Sequence, residues 1–410
     1  MNVRSATSQI LLLPVLLTGT AVAARAVREP VEAIQASREI PEELRLDVGI
    51  QVFDPGLPTD EDGNLLPESE LEAKKVLPHL RRSEGRYIAF LLRGTLEETG
   101  NWGAVRVIPA GQDTVDVTVV GVIKKSTGRE LEVQVEAYSS TGRSWFKKKF
   151  KGQANAYAYD DDVPETFDPY QNLYNRIANA LLAAQEKLKD DEIRRIRDVS
   201  QIRFAAELAP DVYGDHLSVD KKRRYSLEKM PADDDPMIGR VNRIRERDYE
   251  LIDTLNEYYT DFALRMGQPY DDWREYSYQE EVALKKMRRQ AMWTQIFGAA
   301  LIVGGASADV SGVARDAAVI GGAVAIAEGA EKRKESKMHV EALRELAVSF
   351  DVEIEPLLID VEGLTMQLTG SAEAQYADWR RLLRKMFAAE TGLPVDLNEE
   401  VPLAVETADD

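Results

Sequence analysis

The chain has no cysteine and only three histidines in 410 residues. Without thiols it has no disulfide framework, no thiolate zinc or iron–sulfur site and no thiol nucleophile. It also lacks the acylated cysteine that anchors a bacterial lipoprotein. His79, His216 and His339 are far apart and form no H-E-x-x-H pair, so no metal site is legible. Basic residues are in deficit, with 52 Lys and Arg against 71 Asp and Glu, a net charge of −19. That balance argues against a nucleic-acid binder whose whole surface tracks phosphates. Phosphate-cradling G-x-x-x-x-G-K-[ST], dinucleotide G-x-G-x-x-G and nucleophile G-x-S-x-G motifs are missing too. What is present is 44% hydrophobic residues, enough for real cores in two to three domains.

Residues 1–26 place Arg4 before an apolar run from Ile10 to Leu17, followed by small residues at Ala21, Ala23, Ala24 and Ala26. This is the order of a secretory signal peptide cleaved after Ala23 or Ala26. The apolar run falls short of the roughly 20 residues a spanning helix needs. An exported chain without cysteine needs no oxidative folding, which points to the bacterial periplasm. Residues 27–42 have no clear periodicity and read as a linker.

From residue 43 to 190 the pattern is that of an α+β domain, an α/β sandwich with an antiparallel meander. Leu44, Leu46, Val48, Ile50 and Val52 alternate as a strand. A helix is expected over Leu71–Thr99, with Tyr87, Phe90, Leu91 and Leu92 on one side and Gly100 as its stop. Strands follow at Ala104–Ile108, Val115–Lys124, Leu131–Tyr138 and Ser144–Lys151. The turns Ser126-Thr127-Gly128 and Ser140-Thr141-Gly142 put Gly where a hairpin needs positive φ. Asp168-Pro169 then opens a helix carrying Leu173, Ile177, Leu181 and Leu188, with Asp168 as its N-cap.

The phrase Glu98-Thr99-Gly100-Asn101-Trp102-Gly103-Ala104-Val105 and the turn Ser140-Thr141-Gly142-Arg143-Ser144-Trp145 carry a resemblance over Tyr87–Lys151. This segment resembles the α/β domain shared by envelope accessory proteins, similar to the TolB N-terminal domain and to CsgG-like and LpoB-like proteins. The resemblance implies a periplasmic protein-binding or assembly module without catalysis.

Residues 191–338 read as a helical region. In Val241–Met266, apolar residues fall at Val241, Ile244, Leu251, Leu255, Tyr258 and Phe262, an alternating three–four seam broken by Asp248. A bundle helix and a short intermolecular coiled coil both fit that seam. A second helical run begins near Asp271 and enters residues 290–308, nineteen residues without a charge. After a polar turn around Asp309, Arg315 and Asp316, eleven more uncharged residues follow.

Small residues recur every four positions in both arms: Ala300, Gly304, Ala308 and Gly312, then Ala317, Gly321, Ala325 and Gly329. On helices these stripes allow close backbone approach and describe a hairpin zipped along small residues. Lys285, Lys286, Arg288 and Arg289 precede it, and Lys332, Arg333, Lys334 and Lys337 follow it. Folding the hairpin brings both clusters to one end, where they suit anionic headgroups. The segment resembles the glycine zippers of bacterial outer-membrane proteins, which insert into or oligomerise at membranes. Nineteen residues reach only about 28 Å as helix and the second arm about 17 Å, so a conventional two-span anchor is not expected. Insertion in re-entrant or oligomeric form, and burial inside a soluble bundle, both remain open.

Residues 339–398 suggest a small α+β unit. A helix is expected over His339–Phe350, then strands around Leu358–Val361 and Thr365–Thr369, and a helix presenting Tyr376, Trp379, Leu382, Leu383 and Phe387. The run from Val361 to Gly370 resembles the core of BON domains, which are associated with envelope phospholipid binding. Residues 399–410 form an acidic tail of disordered composition. Asp160-Asp161-Asp162 and Asp233-Asp234-Asp235 lack calcium-loop spacing and read as solvated loops.

The expectation is a non-enzymatic envelope protein with no cofactor, metal or catalytic residues. Its partners would be membrane lipid, other envelope proteins or further copies of itself, not nucleic acid. The alternatives are a periplasmic glycan hydrolase working with a carboxylate pair, and a soluble scaffold in which the hairpin is core.

Overall fold

The computed structural model describes residues 30–74, 76–109, 112, 114–160, 162–163, 167–232, 234–303, 345, 357–361, 364–368 and 372–392. Its centre is a five-stranded mixed sheet built from β1 (Val48–Gln51), β2 (Val105–Ile108), β3 (Val117–Ser126), β4 (Glu130–Ser139) and β5 (Ser144–Gln153), in the order β2-β1-β3-β4-β5. β1 runs parallel to both neighbours, with Val48 opposite Val105 and Val117, and β3, β4 and β5 form the expected antiparallel meander.

Alternation along the meander decides its two faces. Val117, Val119, Ile123, Leu131, Val133, Val135, Ala137, Phe146 and Phe150 enter the core. The opposite face of β4 and β5 carries Glu130, Glu132 and Glu136 beside Lys147 and Lys151, with Lys147 3.2 Å from Glu136 and Lys151 paired to Glu130. Helices α2 (Pro78–Thr99) and α3 (Gln171–Gln185) cover the apolar face through Ile88, Leu92, Leu96, Leu173, Ile177 and Leu181.

Local chemistry moves several boundaries. The helix expected over Leu71–Thr99 is broken into α1 (Glu68–Ala73) and α2, because Pro78 biases the residue before it away from helix. Gly100 ends α2 with φ of 66°, as its sequence position implied. The strand expected from Leu44 is confined to β1, since Leu44 ends a 3-10 turn at Glu42–Leu44. Asp168 is not the N-cap residue of α3, which begins at Gln171. Its Oδ1 instead accepts the Tyr170 amide at 2.7 Å.

Of the two hairpin glycines only Gly142 has positive φ, at 73°. Gly128 is required for a different reason: a Cβ there would collide with the Arg274 carbonyl and crowd the Tyr278 amide.

The segment read as a linker lies against α3 and the end of α2. Asn179 Oδ1 accepts the Ile34 amide at 2.9 Å, Asn175 Nδ2 donates to the Val31 carbonyl at 2.8 Å, and Asn101 Nδ2 donates to the Ile34 carbonyl at 2.8 Å.

Beyond the sheet follow α4 (Asp190–Leu208), the short α5 (Pro210–Tyr213), a hairpin of β6 (Leu217–Val219) and β7 (Tyr225–Leu227), and α6 (Pro236–Val303). The two helical runs read on either side of Pro269 are therefore one helix of 68 residues, about 100 Å long. Proline removes one ladder bond and crowds the preceding turn. Here Met266 and Tyr270, buried on either side of it, hold the helix to the body. The C-terminal unit contributes the antiparallel pair β8 (Leu357–Val361) and β9 (Leu364–Leu368) and helix α7 (Ala372–Thr391), which packs on α6 and α4. One apolar core runs from Leu46 to Phe387 and includes the α6 seam of Val241, Ile244, Leu251 and Leu255.

Candidate functional site

The feature that organises this molecule is the way α6 is bound to the sheet domain. Three groups of buried polar side chains hold it along its length.

The first group explains the residue that breaks the apolar seam. Asp248 is 0% exposed, and its Oδ2 accepts from the Tyr376 hydroxyl at 3.2 Å and from Arg380 Nη1 at 3.3 Å, both on α7. Arg380 also pairs with Glu207 of α4 and lies 4.7 Å over the Phe204 ring. Burial pushes the Asp248 carboxyl above its ordinary range, against the pull of Arg380. The seam-breaking acid is thus the socket for the C-terminal helix.

The second group covers a sheet edge. Asn256 Oδ1 accepts the Val107 amide at 2.8 Å and its Nδ2 donates to the Val107 carbonyl at 2.9 Å, so one side-chain amide takes the place of a neighbouring strand on β2. Arg106 of β2 adds a two-point pair to Asp253 at 2.6 and 3.0 Å.

The third group fixes α6 to the β3–β4 turn. Arg274 is 1% exposed; its Nη1 donates to Asp168 Oδ2 at 2.8 Å, its Nη2 bonds Asp271, and its guanidinium lies 4.4 Å over Tyr270. The Tyr170 and Tyr159 hydroxyls donate to the carbonyls of Thr127 and Gly128, whose amide in turn donates to Ser277 Oγ at 3.1 Å. Beside them Glu84 Oε1 accepts from Ser126 Oγ at 2.6 Å and from the Tyr270 hydroxyl at 2.9 Å, and its Oε2 lies 3.3 Å from Arg81 Nε.

Burial raises the Glu84 pKa above its ordinary 4.5, while Arg81 opposes that shift. The folded state therefore binds this proton more tightly than the unfolded chain. The stability linked to Glu84 is complete below the ordinary value and is lost as pH rises through the raised one. Glu84→Gln, which keeps an acceptor for Ser126 and Tyr270, is expected to flatten that part of a melting-temperature curve against pH. An unchanged slope would show that Glu84 is not the group responsible.

A polar surface cleft, lined by Glu39, Glu42, Arg45, Asp47, Ala104 and Arg197 among others, lies where β1, β2 and β3 begin. Asp47 Oδ1 accepts the Ala104 amide at 2.8 Å. Behind it Asp116 is buried, with Oδ1 taking the Ser200 hydroxyl at 2.6 Å and Oδ2 the Asp47 amide at 3.0 Å. These acids brace three strand starts. Among the described residues no group of three or more His, Cys, Asp or Glu is placed to hold a metal ion.

From Gln279 to Lys286 the helix carries mostly exposed residues, including Lys285 and Lys286 of the basic cluster, while Glu281 and Leu284 are half-buried. Arg288, Arg289 and Ala300 are on the α6 backbone. Gly304, Ala308, Gly312, Ala317, Gly321, Ala325 and Gly329, and the second cluster of Lys332, Arg333, Lys334 and Lys337, lie outside the described residues. So does the helix expected over His339–Phe350, apart from Glu345. No described helix is long and apolar enough to cross a membrane.

Sequence reasoning did not single out Asn256, Arg274, Glu84 or Arg380. Only Asp248 announced itself, as an acid on an apolar seam. Comparison with protein-family models, curated protein sequences and solved structures found no match for this chain.

Proposed function

We propose that this is a non-enzymatic, exported envelope protein that associates with a membrane and with copies of itself through the glycine-spaced hairpin, and that α6 is the rigid arm presenting that hairpin. The observation carrying this reading is the continuity of α6. One helix runs from the buried Arg274 anchor, past the exposed Lys285 and Lys286, into the uncharged segment that begins at Gln290. A helix fixed so firmly at one end delivers its other end in a set direction, and cations next to an apolar stretch suit an anionic headgroup layer. The short arms favour association by small-residue packing or partial insertion over two full spans.

Carbonate washing of membranes containing the tagged full chain tests this. The wild-type protein is expected in the membrane pellet, and Gly304→Leu with Gly321→Leu is expected to move it to the soluble fraction or to lower its mass by light scattering. Unchanged fractionation together with unchanged mass would refute the proposal.

A further inference from the structure

The four consecutive cations Lys221, Lys222, Arg223 and Arg224 occupy the turn between β6 and β7, and all four are exposed. Among the described residues none of them forms a salt bridge. The one acid of the turn, Asp220, is spent inside it: its Oδ1 accepts the Lys222 amide at 2.8 Å and the Arg224 amide at 2.9 Å. Those bonds hold its pKa below the ordinary aspartate value.

The backbone of the turn is fixed from outside as well. Arg223 has φ of 57°, the only positive value among described non-glycine residues, and its carbonyl sits where a side chain on Gly142 would be. The Tyr225 amide donates to the Thr141 carbonyl at 2.9 Å, and the Arg203 guanidinium covers the Tyr225 ring at 4.2 Å. The fold thus holds a rigid turn whose cationic side chains point to solvent, beside Val219, which is 54% exposed.

Position gives this turn its meaning. It docks on the β4–β5 turn, whereas Ser277 of α6 docks on the β3–β4 turn, at the other end of β4. The register of α6 agrees: Arg245 donates to the Thr114 carbonyl at the start of β3, and Ser277 meets Gly128 just past its end. The intervening 32 helical residues span about 48 Å and the 14 extended ones about 46 Å. Lys285 lies about 12 Å further along the helix. The two basic groups are therefore at opposite ends of the body.

We infer that the β6–β7 turn is a second contact for an anionic bilayer, facing away from the Lys285 end. A chain of net charge −19 is repelled by an anionic surface except where cations project. An exposed valine beside them suits the interfacial layer. Single-stranded nucleic acid is disfavoured because the one aromatic of the hairpin is already covered by Arg203.

The test uses full-length protein with vesicles of phosphatidylcholine and phosphatidylglycerol in equal parts, and with phosphatidylcholine alone. It is run in the Gly304→Leu/Gly321→Leu background, so that its outcome does not depend on the hairpin reading. That chain is expected to bind the anionic vesicles in a salt-sensitive way and not the neutral ones. Reversing Lys221, Lys222, Arg223 and Arg224 to Glu should weaken binding at least about 100-fold, and Lys221→Gln/Lys222→Gln by an intermediate factor, at unchanged melting temperature. In the wild-type chain the reversal should also abolish linking of two vesicle populations while single-vesicle binding persists. No binding in the test background, equal affinity after reversal, or a larger loss for a short nucleic-acid duplex than for vesicles would each overturn the inference.

Discussion

Arg274→Met is expected to destabilise the protein by about 3–5 kcal/mol, because it leaves Asp168 buried at 5% side-chain exposure with no cation beside it. Methionine fills much of the same volume, so the loss is electrostatic rather than a packing void. The effect should be read as a lowered urea midpoint with the slope retained. Arg274→Met combined with Asp168→Leu should recover most of it, since replacing both members of a buried pair is far less costly than orphaning one. A loss in the single variant below about 1 kcal/mol, typical of exposed pairs, would show that this contact does not anchor α6.

Arg380→Met at the other end of α6 is the second large effect, again about 3–5 kcal/mol, because Asp248 is 0% exposed and loses its cation. Asp248→Leu would restore the seam between Ile244 and Leu251. Paired with Arg380→Met it should be close to neutral or stabilising. Hydrogen exchange adds the local signature. In Arg380→Met the amides of α7 should open more easily than those of β3 and β4, whose ladders do not involve Arg380. Equal protection of α7 in wild type and variant would refute its role as the socket.

These two anchors also show where legibility ended. The meander was readable because alternation along β3, β4 and β5 has period two and the turns between them contain glycine. The α6 seam was readable because Val241, Ile244, Leu251 and Leu255 recur at helical spacing, and all four are buried. Gly128 is required by packing and not by its own backbone conformation. Its neighbours in sequence suggested a conformational need, but the need is space for the Arg274 carbonyl, which is far away along the chain.

Ion-pair partners were beyond reach. With 71 acidic and 52 basic residues, nothing local marks Glu84 as different from the many solvated carboxylates, and the local signal at Asp168 points to a helix cap rather than to its buried pair with Arg274. Asp248 alone stood out, because periodicity supplied an apolar background against which one charge was visible.

By itself, then, the sequence determined what depends on neighbours a few residues apart: the strand and helix periods, the Gly100 stop and the Gly142 turn, the uncharged glycine-spaced segment and the basic clusters flanking it. The tertiary structure decided which charges are buried and with whom, that two helical runs join across Pro269 into one arm, and that Lys221–Arg224 and Lys285–Lys286 face opposite ends of the body. Periodicity is a short-range property of the chain. Burial of a charge is settled only when segments more than 100 residues apart, such as Asp168 and Arg274 or Asp248 and Arg380, are brought together out of water.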